Sequence, residues 1–178
     1  MAGLSLRQAG LEVRMAPLSE LSGSGADAVE FYARMNPGMP AAPLRQTASG
    51  GELSRIMLAI KSAAPASEAA TLVFDEIDAG IGGETGAAVG AKLRALAGRS
   101  QIICITHLPQ IACFAAAHFA VEKRAGGGST VTSVDRLSGN AVIDELCRMM
   151  GSRPQDEKAR AHAADLVQRC AAKKEEGG

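Results

Sequence analysis

Two short apolar runs, each stopping abruptly at a polar pair, constrain this chain more than any other feature. Residues 71–74 read Thr-Leu-Val-Phe and stop at Asp75-Glu76. Residues 101–105 read Gln-Ile-Ile-Cys-Ile and run into Thr106-His107. Between them, residues 84–97 carry a helical pattern that ends near Gly98. Short uninterrupted apolar runs are the mark of strands buried in a parallel sheet, and strand–helix–strand alternation places helices against such a sheet. Ligands in these sheets bind beyond the C-terminal strand ends. Asp75, Glu76, Thr106 and His107 are therefore expected as neighbours on one edge.

The remaining segments fit the same α/β class, a parallel sheet with flanking helices and some antiparallel strands. Leu11, Val13 and Met15 alternate with Glu12 and Arg14, which predicts a half-buried strand over 11–18. A Ser/Gly turn at 21–26 leads to a second strand over 28–36, paired back onto the first. Residues 36–43 hold three prolines and a glycine and are expected as a loop. Residues 53–64 form a helix with Leu53, Ile56, Met57 and Ile60 on one face, ended by Pro65. A short helix follows at 109–115, then strands at 119–122 and 130–137 around the glycines 126–128. Helices at 142–150 and 155–172 close the fold. By domain, 1–10 is the end of a preceding helix or a linker, 11–172 is one unit, and 173–178 is a flexible tail.

The 178 residues are enough for one domain, and 47% of them are hydrophobic. With no Trp and one Tyr, the core must be aliphatic. Nineteen basic residues balance nineteen acidic ones. A neutral chain is no general nucleic-acid binder, so Arg7, Arg14, Arg34, Arg45 and Arg55 read as scattered, solvated surface. Cys104, Cys113, Cys147 and Cys170 form no C-x-x-C pair, which argues against a zinc site and against a disulfide framework, and for a reducing cytosol. No run approaches the ~18 apolar residues of a membrane span, and no secretory signal opens the chain. A soluble, cytoplasmic protein with no membrane partner is expected.

Three segments carry candidate chemistry. In Ser49-Gly50-Gly51-Glu52, Ser49 and Glu52 have the spacing of a capping box. Two glycines inside such a box call for a further reason. Unhindered amides at a helix N-terminus, open to close approach by phosphate, supply one. The strand ending in Asp75-Glu76 matches a Walker B element, with Asp75 holding Mg²⁺ through water and Glu76 polarising an attacking water. A strand ending in solvated acids is the alternative. Asp78-Ala79-Gly80-Ile81-Gly82-Gly83 is a glycine-rich strand-to-helix connection, and His107 alone is a polar loop residue. His118 and His162 suggest no chemistry.

The order of these elements is more specific than any one of them. A capping SGGE, an apolar strand ending in Asp-Glu, a glycine-rich turn with Asp, and a strand ending in His resemble the signature motif, Walker B, D-loop and H-loop of an ABC-type ATPase head. The stretches LRQTASGGELSRIMLAIKSA, TLVFDEIDAGIGG and CITHLPQIACFAAAHFAVEK are similar to the RecN family of DNA repair ATPases, relatives of the SMC proteins. The resemblance runs along essentially the whole chain and is most specific over 44–123. Glu52, where ABC transporters usually carry Gln, points to the SMC-like side.

That resemblance implies the C-terminal half of a P-loop ATPase head, in which two heads sandwich ATP. Ser49, Gly50, Gly51 and Glu52 would serve the ATP of the opposite head, with Ser49 and Gly51 at its γ-phosphate. Asp75 would serve Mg²⁺, Glu76 the attacking water, and His107 the γ-phosphate of its own head's nucleotide. Asp78 would lie at the dimer interface. The implied partners are an N-terminal Walker A lobe with its coiled-coil arm, a second identical head, and DNA bound without sequence preference. The implied location is bacterial and nucleoid-associated.

One departure is large, since no Gly-Lys-Ser or Gly-Lys-Thr loop occurs in these residues. The chain is therefore expected to hydrolyse ATP only when joined to a lobe that carries one. Two other readings are an ABC transporter ATPase fragment and a non-catalytic interaction or dimerisation module. Intact Asp75, Glu76, Asp78 and His107 speak against the second.

Overall fold

The computed structural model describes residues 4, 9–35, 38–47, 49–64, 71–126 and 129–172. Strands β1 (Gly10–Ser22) and β2 (Gly25–Arg34) form an antiparallel hairpin, and the two-residue β3 (Ala42–Pro43) pairs with β2. One helical turn, α1 (Leu44–Thr47), precedes α2 (Gly50–Ala63). The central strand–helix–strand unit is β4 (Thr71–Phe74), α3 (Gly83–Leu96) and β5 (Gln101–Cys104). The short α4 (Pro109–Ala112) leads to a second hairpin, β6 (His118–Gly126) and β7 (Ser129–Leu137). Helices α5 (Asn140–Met149) and α6 (Glu157–Ala172) complete the chain, giving an α/β fold with both parallel and antiparallel pairs.

β4 and β5 run parallel and in register, from Thr71 opposite Gln101 to Phe74 opposite Cys104. The Ile105 amide donates to the Phe74 carbonyl at 3.0 Å, so the two strands end side by side. At the other end, Thr71 Oγ1 donates to Gln101 Oε1 at 2.8 Å. Beneath this pair lies an apolar, largely aliphatic core of Ile56 and Leu58 from α2, Phe74 from β4, Ile77 from the turn after it, Val89, Leu93 and Leu96 from α3, and Ile111 from α4. Glycines let α3 approach α4 closely. A methyl at Gly90 would collide with the Phe114 ring, and one at Gly86 would press on Leu108. A separate cluster of Leu146, Cys147 and Ala163 joins α5 to α6, with an Arg160–Asp144 ion pair alongside.

Several expectations are corrected. β4 and β5 are half-buried rather than buried on both faces. Leu72, Phe74, Ile102 and Cys104 face the core, while Val73 and Ile103 are exposed. The first hairpin turns more tightly than 21–26, because Ser22 lies opposite Gly25 and Gly25 takes the left-handed φ of 117° that this needs. The segment expected as loop contributes β3, and α1 follows it unforeseen. Helix α2 starts at Gly50, and its buried residues are Gly51, Arg55, Ile56 and Leu58, whereas Leu53 and Met57 are 42% and 45% exposed. Cys113 and Cys170 are paired in a disulfide, with Cα atoms 6.1 Å apart. Linear spacing does not reveal which distant cysteines the fold brings together. The expectations for 1–10, for the hairpin glycines 126–128 and for the tail 173–178 fall wholly or partly outside the described residues.

Exposed apolar side chains gather on three surfaces. They are Val13, Met15, Val29 and Phe31 on the first hairpin, Val73, Ile103 and Ile105 on the parallel pair, and Phe119, Val121 and Val134 on one face of the second hairpin, with Val131 on its other face. Among the described residues, no helix is long and apolar enough to cross a membrane. Gly90→Val is expected to overpack the α3–α4 contact and lower stability by about 1–3 kcal/mol, read as a shift in urea midpoint. Gly98→Ala, at a position with room for a methyl, should leave the midpoint nearly unchanged.

Candidate functional site

The site is assembled at the ends of β4 and β5. The chain leaves Phe74 through Asp75 and Glu76 into a turn that ends in a buried aspartate, Asp78, 4% exposed. Burying a carboxylate is unfavourable unless donors replace the lost water. Here they come from the end of β5, where Thr106 Oγ1 donates to Asp78 Oδ2 at 2.6 Å and the His107 amide donates at 2.7 Å. The His107 ring joins them, with Nδ1 at 2.9 Å from the same oxygen. Thr106 Oγ1 in turn accepts the Leu108 amide at 3.0 Å, which fixes the entry to α4. With Nδ1–H held by Asp78, His107 presents its other nitrogen outward, and its side chain is 73% exposed.

Helix α2 closes the other side of the turn. Arg55, read from sequence as solvated surface, is 5% exposed and donates through Nη1 to the carbonyls of Ile77 at 3.1 Å and Ala79 at 2.9 Å. Burial lowers its pKa from the usual value, opposed by the nearby charges of Glu52 and Asp78. Ser54 Oγ adds a bond to the Asp75 carbonyl at 2.8 Å. The sequence offered one clue to Arg55, a cation at the same helical face as Gly51 and Leu58, and it was outweighed by the neutral overall charge.

The start of α2 carries a complete capping box. The Glu52 amide donates to Ser49 Oγ at 3.4 Å, and the Ser49 amide donates to Glu52 Oε2 at 2.9 Å. The two glycines lie against the Asp-Glu turn. A methyl at Gly51 would sit 2.8 Å from both the Ala79 Cβ and the Glu76 carbonyl oxygen, and one at Gly50 would collide with Glu76 Oε2. Glu76 has a φ of 55°, left-handed for a non-glycine residue, and its carbonyl accepts the Ala79 amide at 2.9 Å. Asp75 Oδ1 accepts the Glu76 amide at 2.9 Å, and its carboxylate stays exposed.

The structure thus brings together Ser49, Gly50, Gly51, Glu52, Asp75, Glu76, Asp78 and His107 around one strand edge. Cys104 lies at the same edge. Its thiol is pushed up to about 12 by burial, reinforced by Asp78 and Asp75. Among the described residues, no three His, Cys, Asp or Glu side chains cluster as a ready metal cage. His118 lies elsewhere, and burial lowers its pKa.

No family model matches the chain. Curated proteins do. It is 46% identical over 144 residues to the DNA repair protein RecN of Treponema pallidum, covering 80% of this chain and 25% of that protein. It is 44% identical over 146 residues to RecN of Streptomyces coelicolor, with 82% of this chain and 26% of that protein covered. RecN of Mycobacterium leprae matches at 38% over 90% of this chain and 27% of its own length. The chain therefore spans about a quarter of the length of the curated relatives it matches. Among solved structures, an SmcHead bound to the C-winged helix domain of ScpA superposes with a TM-score of 0.49 at 24% identity, covering 76% of this chain and 40% of that one.

Asp78→Ala is expected to strand the Thr106 hydroxyl and the His107 amide, lowering stability by about 2–3 kcal/mol, with Asp78→Asn milder. Arg55→Met should cost about 1–3 kcal/mol through the two carbonyls it leaves unmet. Urea melts of the three variants test this. Cys104 should resist iodoacetamide at pH 8. Burial holds its thiol well above the ordinary range and leaves little thiolate there, so labelling at the same pH should speed up sharply once urea unfolds the chain. Rapid labelling of Cys104 in the native chain at pH 8 would contradict its burial.

Proposed function

The chain is RecN-like over about 80% of its length, and from that premise we propose that it is the C-terminal lobe of a RecN-type ATPase head acting in DNA double-strand break repair and recombination. In this reading residues 11–172 are the lobe, and the phosphate-binding loop belongs to an N-terminal lobe carried on a coiled-coil arm. The observation that carries the proposal is the Asp78 carboxylate holding His107 beside Asp75 and Glu76 at one strand edge. The location that goes with this reading is the bacterial cytoplasm, at the nucleoid.

The roles follow from positions and chemistry. Asp75 offers one exposed carboxylate, which suits Mg²⁺ held largely by water and phosphate oxygens, and the bound ion would neutralise developing phosphate charge. Glu76 would orient and polarise the attacking water. His107, held by Asp78 through Nδ1, would aim its outer nitrogen at the γ-phosphate of its own head's ATP. Ser49 and Gly50, exposed at the start of α2, would meet the nucleotide of the opposite head, with Gly51 and Glu52 shaping that helix end. Asp78 would couple the two sites by setting the H-loop from the D-loop side. Phosphoryl transfer asks the protein mainly for such positioning and charge stabilisation.

The apolar face of β4 and β5, with Val73, Ile103 and Ile105 exposed, is where this reading seats the N-terminal lobe. Arginines on the first hairpin and beside it are paired with glutamates, Arg14 and Arg34 with Glu12 and Arg45 with Glu30. Contact with DNA would accordingly be to backbone phosphates, without sequence preference and steeply salt-dependent.

Two assays test the proposal. The purified chain should show no ATP hydrolysis, and supplying the Walker A-bearing lobe should create an activity that Glu76→Gln abolishes. Turnover by the isolated chain that Glu76→Gln removes would sink the divided-site reading. In the joined protein, Ser49→Arg should block ATP-dependent head pairing while leaving nucleotide binding within about twofold of wild type. Loss of both together would move Ser49 into its own head's pocket.

A further inference from the structure

The second hairpin, α5 and α6 lie outside the site just described, and the feature that ties them to the core is a sulfur pair. Cys113 is the residue that caps the C-terminus of α4, and Cys170 sits in the last turn of α6, 57 residues further along. Their Cα separation of 6.1 Å falls inside the ~4.4–6.8 Å range that a disulfide bridges without moving the backbone. We propose that Cys113 and Cys170 form a reversible oxidation site, closed by a peroxide and opened by a dithiol, whose state sets how firmly α6 is held.

Two further observations bear on this. The non-covalent hold on α6 is slender, since Ala163 is its one buried residue among those described and the Arg160–Asp144 pair its main polar tie to α5. A cross-link near its C-terminal end therefore has much to add. A cavity of about 780 Å³, lined by Cys113, His118, Arg136, Asn140 and Val167 among others, opens on the Cys113 side of the pair, while Cys170 is itself partly exposed, so a small oxidant or thiol has a way in. The other two cysteines are poor competitors. Cys147 is fully buried between α5 and α6, and Cys104 keeps its proton.

The chemistry balances without help from the rest of the protein. Cys170, the more exposed of the two, attacks the O–O bond of the peroxide as a thiolate and becomes a sulfenic acid, and the leaving oxygen takes a proton to become water or an alcohol. The Cys113 thiol then attacks that sulfur, the S–O bond breaks, and a water leaves. Two electrons and two protons pass from the thiols to the peroxide. A dithiol returns both through a mixed disulfide. The proposal is independent of the ATPase reading.

The test uses the whole chain with hydrogen peroxide and dithiothreitol as probes. After mild peroxide, the denatured protein should label at Cys104 and Cys147 alone, be about 2 Da lighter than the reduced form, and yield a peptide linking 113 to 170. On reduction, amide exchange over 157–172 should accelerate about tenfold or more, and Cys170→Ser should show the faster rate whatever the redox state. The inference is overturned if all four thiols stay titratable after peroxide, or if the cross-link forms between molecules. It is equally overturned if α6 exchanges at one rate in both states. Cys113→Ser alters a buried position and can unfold the chain, so Cys170→Ser, on the outer helix, is the deciding variant.

Discussion

A carboxylate shut away from water must be met by donors, and in this chain those that meet Asp78 come from the neighbouring strand. Thr106 and His107 satisfy it with a hydroxyl, an amide and a ring nitrogen. The same turn is held from below by Arg55, whose two bonds reach the carbonyls on either side of Asp78. A buried anion and a buried cation thus clamp one short turn between β5 and α2. Removing either would leave the other side's polar groups unmet, which is why so small a segment can set the relative position of three elements.

The clamp also divides the glycine pair into two separate requirements. Gly51 is buried, and its missing Cβ is explained by the Glu76 carbonyl and Ala79 that press on it. No ligand is needed to account for it. Ser49 and Gly50 remain exposed at the helix start, and only the Glu76 side chain limits what Gly50 could carry. The reason for glycine read from sequence is close backbone approach by a phosphate. The body that approaches Gly51 is the chain's own turn, and in the proposed head only the outer part of the motif would be left to meet a phosphate.

Much of this was legible in the sequence because local signals agreed with one another. TLVF-DE stops where its strand stops and QIICI-TH runs one residue past the end of its own, Ser49 and Glu52 cap the helix that starts at Gly50, and the two strand ends became neighbours because a parallel pairing leaves little choice. What was not legible depended on tertiary partners. Arg55 looked like surface because a cation on a helix usually is, and only two carbonyls from a later turn make its burial tolerable. Leu53 and Met57 fitted the helical period as well as Ile56 did, yet they face out. Periodicity finds an apolar stripe without saying which part of it is covered. The Cys113–Cys170 pairing belongs to the same class, a contact across 57 positions with no local trace.

Among the described residues, the parallel pair of β4 and β5 is covered on one face only. Strands of this kind are stable when helices or other layers cover both faces, and here α2 and α3 cover one. The uncovered positions are Val73, Ile103 and Ile105, side chains that water does not favour. They lie on the same strand segments that deliver Asp75 and His107, with Val73 and Ile105 two residues from each. Whatever layer covers these apolar positions must also bring its own groups up to that strand edge. In the proposed head, burial of the bare face and completion of the phosphate site are one event, because a single pair of strands supplies both the surface that needs covering and the acids and imidazole that need a partner.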